Sequence, residues 1–232
     1  VRNMKKSILS SLINENAMYG DLVLLPDISD AYNIISQKLL DMIKWSYDNI
    51  EFNYFIKVDD DSFVKLDILA NDLISKYHNK NIYMGYFVGN AKVYKSGKWA
   101  ENSWFLCDRY LPYARGGGYV ISFFIAQYLA NNYHLLKVYN NEDTSLGVWT
   151  APLDIIRIHD TRFNTEYISR GCYEDYVIMH KQNVEDMQKM YDMYKSSGNI
   201  CEKESATMDI YEYNWTVLPF NCCKKKPKSI LL

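Results

Sequence analysis

The apolar positions of the chain fall into two alternating periodicities. Over residues 31–49, "AYNIISQKLLDMIKWSYDN", Ile34, Ile35, Leu39, Leu40, Ile43 and Trp45 recur at helical spacing, which predicts a helix with one buried face. Similar patterns predict helices over residues 3–17, ended near Gly20, and over 66–77, "FFIAQYLANNY", the segment opening "EDTSLGVWT", and 183–197 with Asn183 as its cap. Ser29 or Asp30 is a candidate cap for the helix that begins near residue 31. Short β-prone runs lie between these segments: "DLVLL" (21–25, stopped by Pro26), 53–58, 81–89, 116–122, 154–160 and 176–181, with a hairpin expected at "YKSGKW" around Gly97. Strands alternating with helices imply an α/β fold with a mostly parallel sheet.

One short stretch breaks the pattern. In "NYFIKVDDDSFVKLD" an apolar run is followed by Asp59, Asp60 and Asp61, three like charges that no core requires. In an α/β sheet, ligands bind beyond the carboxyl ends of strands, and this triplet sits where such a strand should finish. If the backbone stays extended, Asp59 and Asp61 point to one side and Asp60 to the other. A divalent cation would relieve their repulsion, and hard carboxylate oxygens suit magnesium or manganese, which in turn hold phosphate oxygens. The competing reading is a solvated acidic turn that caps the next helix.

Other candidates say less on their own. Glu142-Asp143 reads as a helix start. Gly116, Gly117 and Gly118 would let backbone approach a ligand closely, but they form neither a GxGxxG motif nor a P-loop. His180, after an apolar strand, reads alone as a satisfied structural residue. "NWT" at Asn214 is an acceptor sequon for N-glycosylation.

Composition sets the outer bounds. The 232 residues are 48% hydrophobic and 23% charged, enough for one large domain with its own core. A net charge of −2 gives no general attraction to nucleic acid. The longest apolar runs, "LVLLP" and "YVISFFIA", are too short to span a bilayer, and the opening residues do not read as a signal peptide. The 21 tyrosines read as ordinary packing, with sugar stacking as the alternative. Of five cysteines (107, 172, 201, 222 and 223), four crowd into the last quarter and fit no zinc spacing. They read as one or two disulfides in an oxidising compartment, or as buried thiols. The basic tail, 224–232, reads as a solvated end.

Taken in order, "KVDDDSFVKLD", "YARGGGYVIS", "NNEDTSLGVW" and "VIMHKQNVEDM" resemble the β-1,3-galactosyltransferases, and "EDTSLGVWTAPLDIIRIHDTRFNTEYISRGC" resembles the branch that builds the linkage between glycosaminoglycans and proteoglycan cores. The resemblance runs from about residue 19 to the paired cysteines 222–223. It implies a GT-A glycosyltransferase fold, a Rossmann-like mixed sheet flanked by helices, with residues 1–223 as a partial catalytic domain. It also implies inverting transfer of galactose from UDP-galactose to a galactose-β-1,4-xylose acceptor, with manganese or magnesium as cofactor. On that likeness Asp61 and His180 bind the metal, with Asp59 as a further contact to metal and nucleotide sugar; Asp60 and the three glycines line the donor site. Asp143 is the general base, supported by Glu142, and Trp104 and Tyr113 are stacking platforms for the acceptor. The likeness implies residence in the Golgi lumen as part of a single-pass type II membrane protein. Because the chain opens without methionine and after the family's first two strands, it reads as a truncated form lacking the anchor. Arg115 departs from the small or apolar residue expected before the glycines. The alternatives are a catalytically silent, lectin-like relative and a β-1,3-N-acetylglucosaminyltransferase.

Overall fold

A computed structural model describes residues 4–25, 28 and 31–225. In chain order these form α1 (Lys6–Tyr19), α2 (Ile35–Asn49), β1 (Tyr54–Val58), β2 (Ser62–Val64), α3 (Leu66–Tyr77), β3 (Ile82–Val88), β4 (Tyr113–Ser122), α4 (Phe123–Asn131), α5 (Glu142–Thr150), β5 (Ile156–His159), β6 (Phe163–Asn164), β7 (Gly171–Cys172), β8 (Ile178–His180), α6 (Val184–Ser197) and β9 (Ser205–Ala206). The candidate caps Ser29 and Asp30, the stop at Pro26, and the basic tail beyond Lys225 lie outside the described residues.

The main sheet has the order β1-β4-β3-β5. β1 and β3 each pair antiparallel with β4, and β3 pairs parallel with β5. Three of the four strands therefore run the same way, but β4 inserts between two of them and reverses most of the hydrogen-bonded pairing. The expected mostly parallel sheet is thus mixed. Alternating elements report that helices connect strands; they do not report which strand lies between which.

Both faces of the sheet are covered, which explains the unbroken apolar run of β3. Tyr83 and Phe87 pack on one side with Leu39, Leu40 and Ile43 of α2 and Ile125, Ala126 and Leu129 of α4. Ile82, Met84 and Tyr86 point to the other side, with Leu69 and Leu73 of α3 and Phe163 and Ile178. This period-two division places the core on two sides of one layer.

Two expected elements differ. "DLVLL" forms no strand. The "YKSGKW" segment reverses direction through a turn with Gly97 at φ 79°, closed by Glu101 N–H donating to Tyr94 O at 2.8 Å, and builds no ladder. Helix boundaries follow their local chemistry more closely. α1 ends at Gly20 in the left-handed region, and Asn183 caps α6 by accepting from Asp186 N–H at 2.8 Å. Cys172–Cys201 and Cys222–Cys223 are disulfides, and Cys107 is free and exposed. Among the described residues, no helix is long and apolar enough to cross a membrane.

Ile43 is fully buried between α2 and the sheet. Ile43→Ala should destabilise the chain by about 2–5 kcal/mol, read as a lower urea midpoint at unchanged slope.

Candidate active site

Register brings the acidic turn to its partners. Val58, the last residue of β1, pairs with Gly118, so β4 runs on past β1 and carries Gly117 and Gly116 alongside Asp59 and the residues after it. The chain then turns: Ser62 N–H donates to Asp59 O at 3.1 Å, and Asp60 and Asp61 occupy the turn. The backbone is not extended through the triplet, as strand alternation would require. Asp59 and Asp61 converge because the turn folds them together. The turn leads into β2 and not into a helix, so it does not cap α3.

β2 pairs antiparallel with β8, Ser62 opposite His180. This sets His180 Nε2 3.4 Å from Asp59 Oδ2 and 3.3 Å from Asp61 Oδ1. The three side chains offer ligand atoms within 4.8 Å of one another. On the far side of the ring, Nδ1 lies 3.1 Å from the backbone oxygen of Glu166. A carbonyl can only accept, so Nδ1 carries a proton; Nε2 faces the carboxylates, donating to Asp59 while the ring is protonated and offering its lone pair when it is neutral. Asp61 Oδ1 is sealed from solvent yet accepts no hydrogen bond, as befits an atom whose partner is a cation. Two carboxylates and an imidazole suit a divalent metal of the manganese or magnesium type, so the residues present fit one.

Glu142 and Asp143 lie in the first turn of α5, where the helix dipole favours negative charge. Asn141 precedes the helix without capping it by its side chain; instead its Oδ1 accepts from Tyr32 and its amide donates to Trp99 O. Gly147 lets α5 close onto β4, since a Cβ there would meet Tyr113 Cβ at 2.8 Å. Asp143 Oδ2 accepts from Gly116 N–H at 3.1 Å and Oδ1 from Thr144 N–H at 2.7 Å. Burial first, and then the charge of Glu142, push the Asp143 carboxyl up to about 7.

Between the two carboxylate groups sits Lys57, on β1. Its ammonium donates to Asp59 Oδ1 at 2.5 Å, Gly116 O at 2.5 Å and Glu142 Oε1 at 3.0 Å. Burial works against this charge, but Glu142 and Asp59 more than offset it and its pKa is raised. At Asp59 burial also opposes ionisation, yet the hydrogen bond from His180 and the charge of Lys57 hold the carboxyl down to about 2.

All of these groups line one cleft of about 370 Å³: Asp59, Asp60, Asp61, Gly116, Gly117, Glu142, Asp143 and His180 face it together. Gly118 does not line it; a Cβ there would meet Ile178. The glycines make room for protein side chains. A Cβ at Gly117 would lie 2.5 Å from His180 Cγ, and one at Gly116 would lie 2.8 Å from Glu142 Oε1.

Of the two expected stacking residues, Tyr113 lines the cleft but is only 4% exposed. Trp104 does not line the cleft; it sits behind Tyr110, its ring packed against Tyr110 and Tyr139 and its N–H donating to Cys107 O, so it offers no stacking face there. The aromatic wall is instead Trp99 and Tyr167, edge to face at 5.1 Å, with Tyr32 and Tyr94. Sequence reasoning missed these and Lys57, although Lys57 stands two residues before Asp59, on the same face of an apolar strand. Asn214 does not line the cleft and is exposed, its Oδ1 accepting from Thr216 N–H and from the Thr216 hydroxyl.

A family model described as "Galactosyltransferase" matches residues 2–161, a span that holds the acidic turn and the Glu142-Asp143 pair but stops before His180. Mouse beta-1,3-galactosyltransferase 6 is 42% identical over 214 residues, 91% of this chain and 66% of its own length. A zebrafish (Danio rerio) UDP-GalNAc:beta-1,3-N-acetylgalactosaminyltransferase 2 is 30% identical over 82% of the chain and 38% of its own length. An Arabidopsis thaliana hydroxyproline O-galactosyltransferase is 28% identical over 82% of the chain and 28% of its own length. The chain thus spans less than two thirds of these relatives. The mixed α/β architecture is that of a GT-A-like glycosyltransferase, and the chain belongs to the galactosyltransferase family.

Proposed function

We propose that the protein is an inverting β-1,3-galactosyltransferase that moves galactose from UDP-galactose to a terminal galactose, with galactose-β-1,4-xylose of the proteoglycan linkage region as acceptor. The observation that carries this reading is the meeting of a cation-type triad and a half-buried carboxylate of raised pKa in one cleft. The likeness to mouse beta-1,3-galactosyltransferase 6 supports the sugar and the linkage. Asp59, Asp61 and His180 would hold a manganese or magnesium ion, which when bound supplies positive charge beside the leaving diphosphate. Asp60, Gly116 and Gly117 border the donor side, and Gly118 supports it from behind.

Inversion requires the acceptor hydroxyl to attack from the face opposite the leaving group. Asp143 takes the proton of that hydroxyl as the bond forms. Gly116 N–H and Thr144 N–H fix its carboxylate, and Glu142, pinned by Lys57, keeps its proton affinity near neutrality. Trp99 and Tyr167 offer ring faces to the acceptor sugars. A lectin-like protein needs no carboxylate poised as a general base, which favours the enzyme over a silent relative. A β-1,3-N-acetylglucosaminyltransferase would differ in its donor, so parallel assays with UDP-galactose and UDP-N-acetylglucosamine separate the two. The Cys172–Cys201 disulfide suits an oxidising compartment such as the Golgi lumen.

Asp143→Asn should lower transfer by about 10²–10⁴-fold in a coupled UDP-release assay with acceptor present. UDP binding should stay within about twofold, the spread of a substitution that spares the binding contacts; if binding collapses as well, Asp143 is not the base. Because the base must be ionised, kcat should climb as pH rises to about 7 and then level off. Removing the neighbouring negative charge with Glu142→Gln should move that acid limb to lower pH; a limb that stays put separates Glu142 from the base. Gly117→Ala drives a methyl group into His180. It should weaken manganese affinity by about 10–100-fold, measured by calorimetry without substrate; unchanged affinity would remove His180 from the metal site.

A further inference from the structure

Among the cations that line the cleft, Arg115 is the one that stands without a job. It precedes the glycines on β4 and lines the cleft. Among the described residues none of its N–H groups meets a hydrogen-bond acceptor, and its Nε is sealed from solvent with no partner. Glu166 and Asp143 are the acidic groups whose charge it feels, and Glu166 is already committed to Arg170. A guanidinium carries five donors in a rigid fork, and leaving it unpaired in a walled site is costly unless a ligand completes it. The diphosphate end of the substrate belongs with the acidic turn, whereas Arg115 directly precedes Gly116, whose N–H donates to the candidate base Asp143.

We propose that Arg115 is an acceptor-binding residue that determines specificity: its guanidinium donates to a hydroxyl vicinal to the one attacked. This rests on the reading of Asp143 as the base. A sugar whose O3 is delivered to Asp143 presents O2 and O4 on either side, and a cation next to the base can hold one of them. The contact fixes the ring about the bond between attacked carbon and oxygen, which a single hydrogen bond to Asp143 leaves free. It costs nothing at the donor, so its signature is confined to the acceptor.

The test uses the full chain with manganese, UDP-galactose and β-galactoside acceptors, comparing wild type, Arg115→Leu and Arg115→Lys. Arg115→Leu should raise acceptor KM by about 10–100-fold, the range of a charge-assisted hydrogen bond. Donor KM and the slow hydrolysis of UDP-galactose without acceptor should stay within about twofold, because neither uses the fork. Arg115→Lys, which keeps the charge and loses the fork, should fall between the two. Either the 2-deoxy or the 4-deoxy galactoside should bind poorly to wild type and be no worse with Arg115→Leu. Equal losses for donor and acceptor, or deoxy penalties that persist unchanged in Arg115→Leu and Arg115→Lys, would overturn the proposal. Wild-type chain that hydrolyses donor but transfers to no galactoside would instead defeat the proposed function, and the role of Arg115 with it.

Discussion

The ammonium of Lys57 is the interaction on which the rest of the cleft depends. Five carboxylates face one cavity, and two of them, Asp59 and Glu142, come from elements far apart in sequence. Each would raise the proton affinity of the others and push the walls apart. Lys57 stands between them, spending its three protons on Asp59, Glu142 and Gly116 O. A buried charge is tolerated when all its hydrogen bonds are met, and here they are. It also makes the two halves of the site a single unit, because moving α5 away from β1 would strand the cation. Asp59 is consequently held ionised while Asp143, one residue beyond the pinned Glu142, is left near neutrality. One carboxylate is kept as a charge and its neighbour is kept able to take a proton.

The glycines of β4 set how closely those halves approach. With side chains there, His180 on one side and Glu142 on the other would both be displaced. A strand that packs bare backbone against two sets of functional groups can lie between them with almost no thickness. This is why the main sheet places its reversed strand at the centre: β4 passes the end of β1 and delivers its barest segment to the acidic turn.

Much of this was legible in the chain, and the failures have physical causes. Leu39, Leu40 and Ile43 repeat at helical spacing because one face of α2 meets the sheet, so the pattern exists locally. The Asp59–Asp61 triplet was conspicuous because nothing in a core accounts for it. Pairing order was not legible, since the pairing of β4 with β1 depends on contacts between residues 60 to 68 positions apart. Taken alone, His180 looked like any histidine after a strand; the resemblance named it a ligand, and the β2–β8 register, opposite Ser62, brings it to the carboxylates. Trp104 and Trp99 are equally aromatic in sequence, and only packing reveals that one is enclosed by Tyr110 and Tyr139 while the other faces the cleft.

The buried cations show how the protein treats charge it needs for itself. Arg170 is fully enclosed, its guanidinium over the rings of Tyr86 and Tyr176, donating to Thr161 O and Phe163 O, with Nε 3.1 Å from Glu166 Oε2. That network holds Glu166 in place, and the backbone oxygen of Glu166 fixes the ring of His180. A residue remote from any substrate therefore settles which nitrogen of the histidine faces the carboxylates. Lys57 performs the same service on the other side. Lys57 is saturated by protein acceptors, and Arg170 is held by two carbonyls and the charge of Glu166, which is what fixing geometry demands. Arg115, in the same cleft, meets no acceptor among the described residues, so its unmet donors point to what enters from solution.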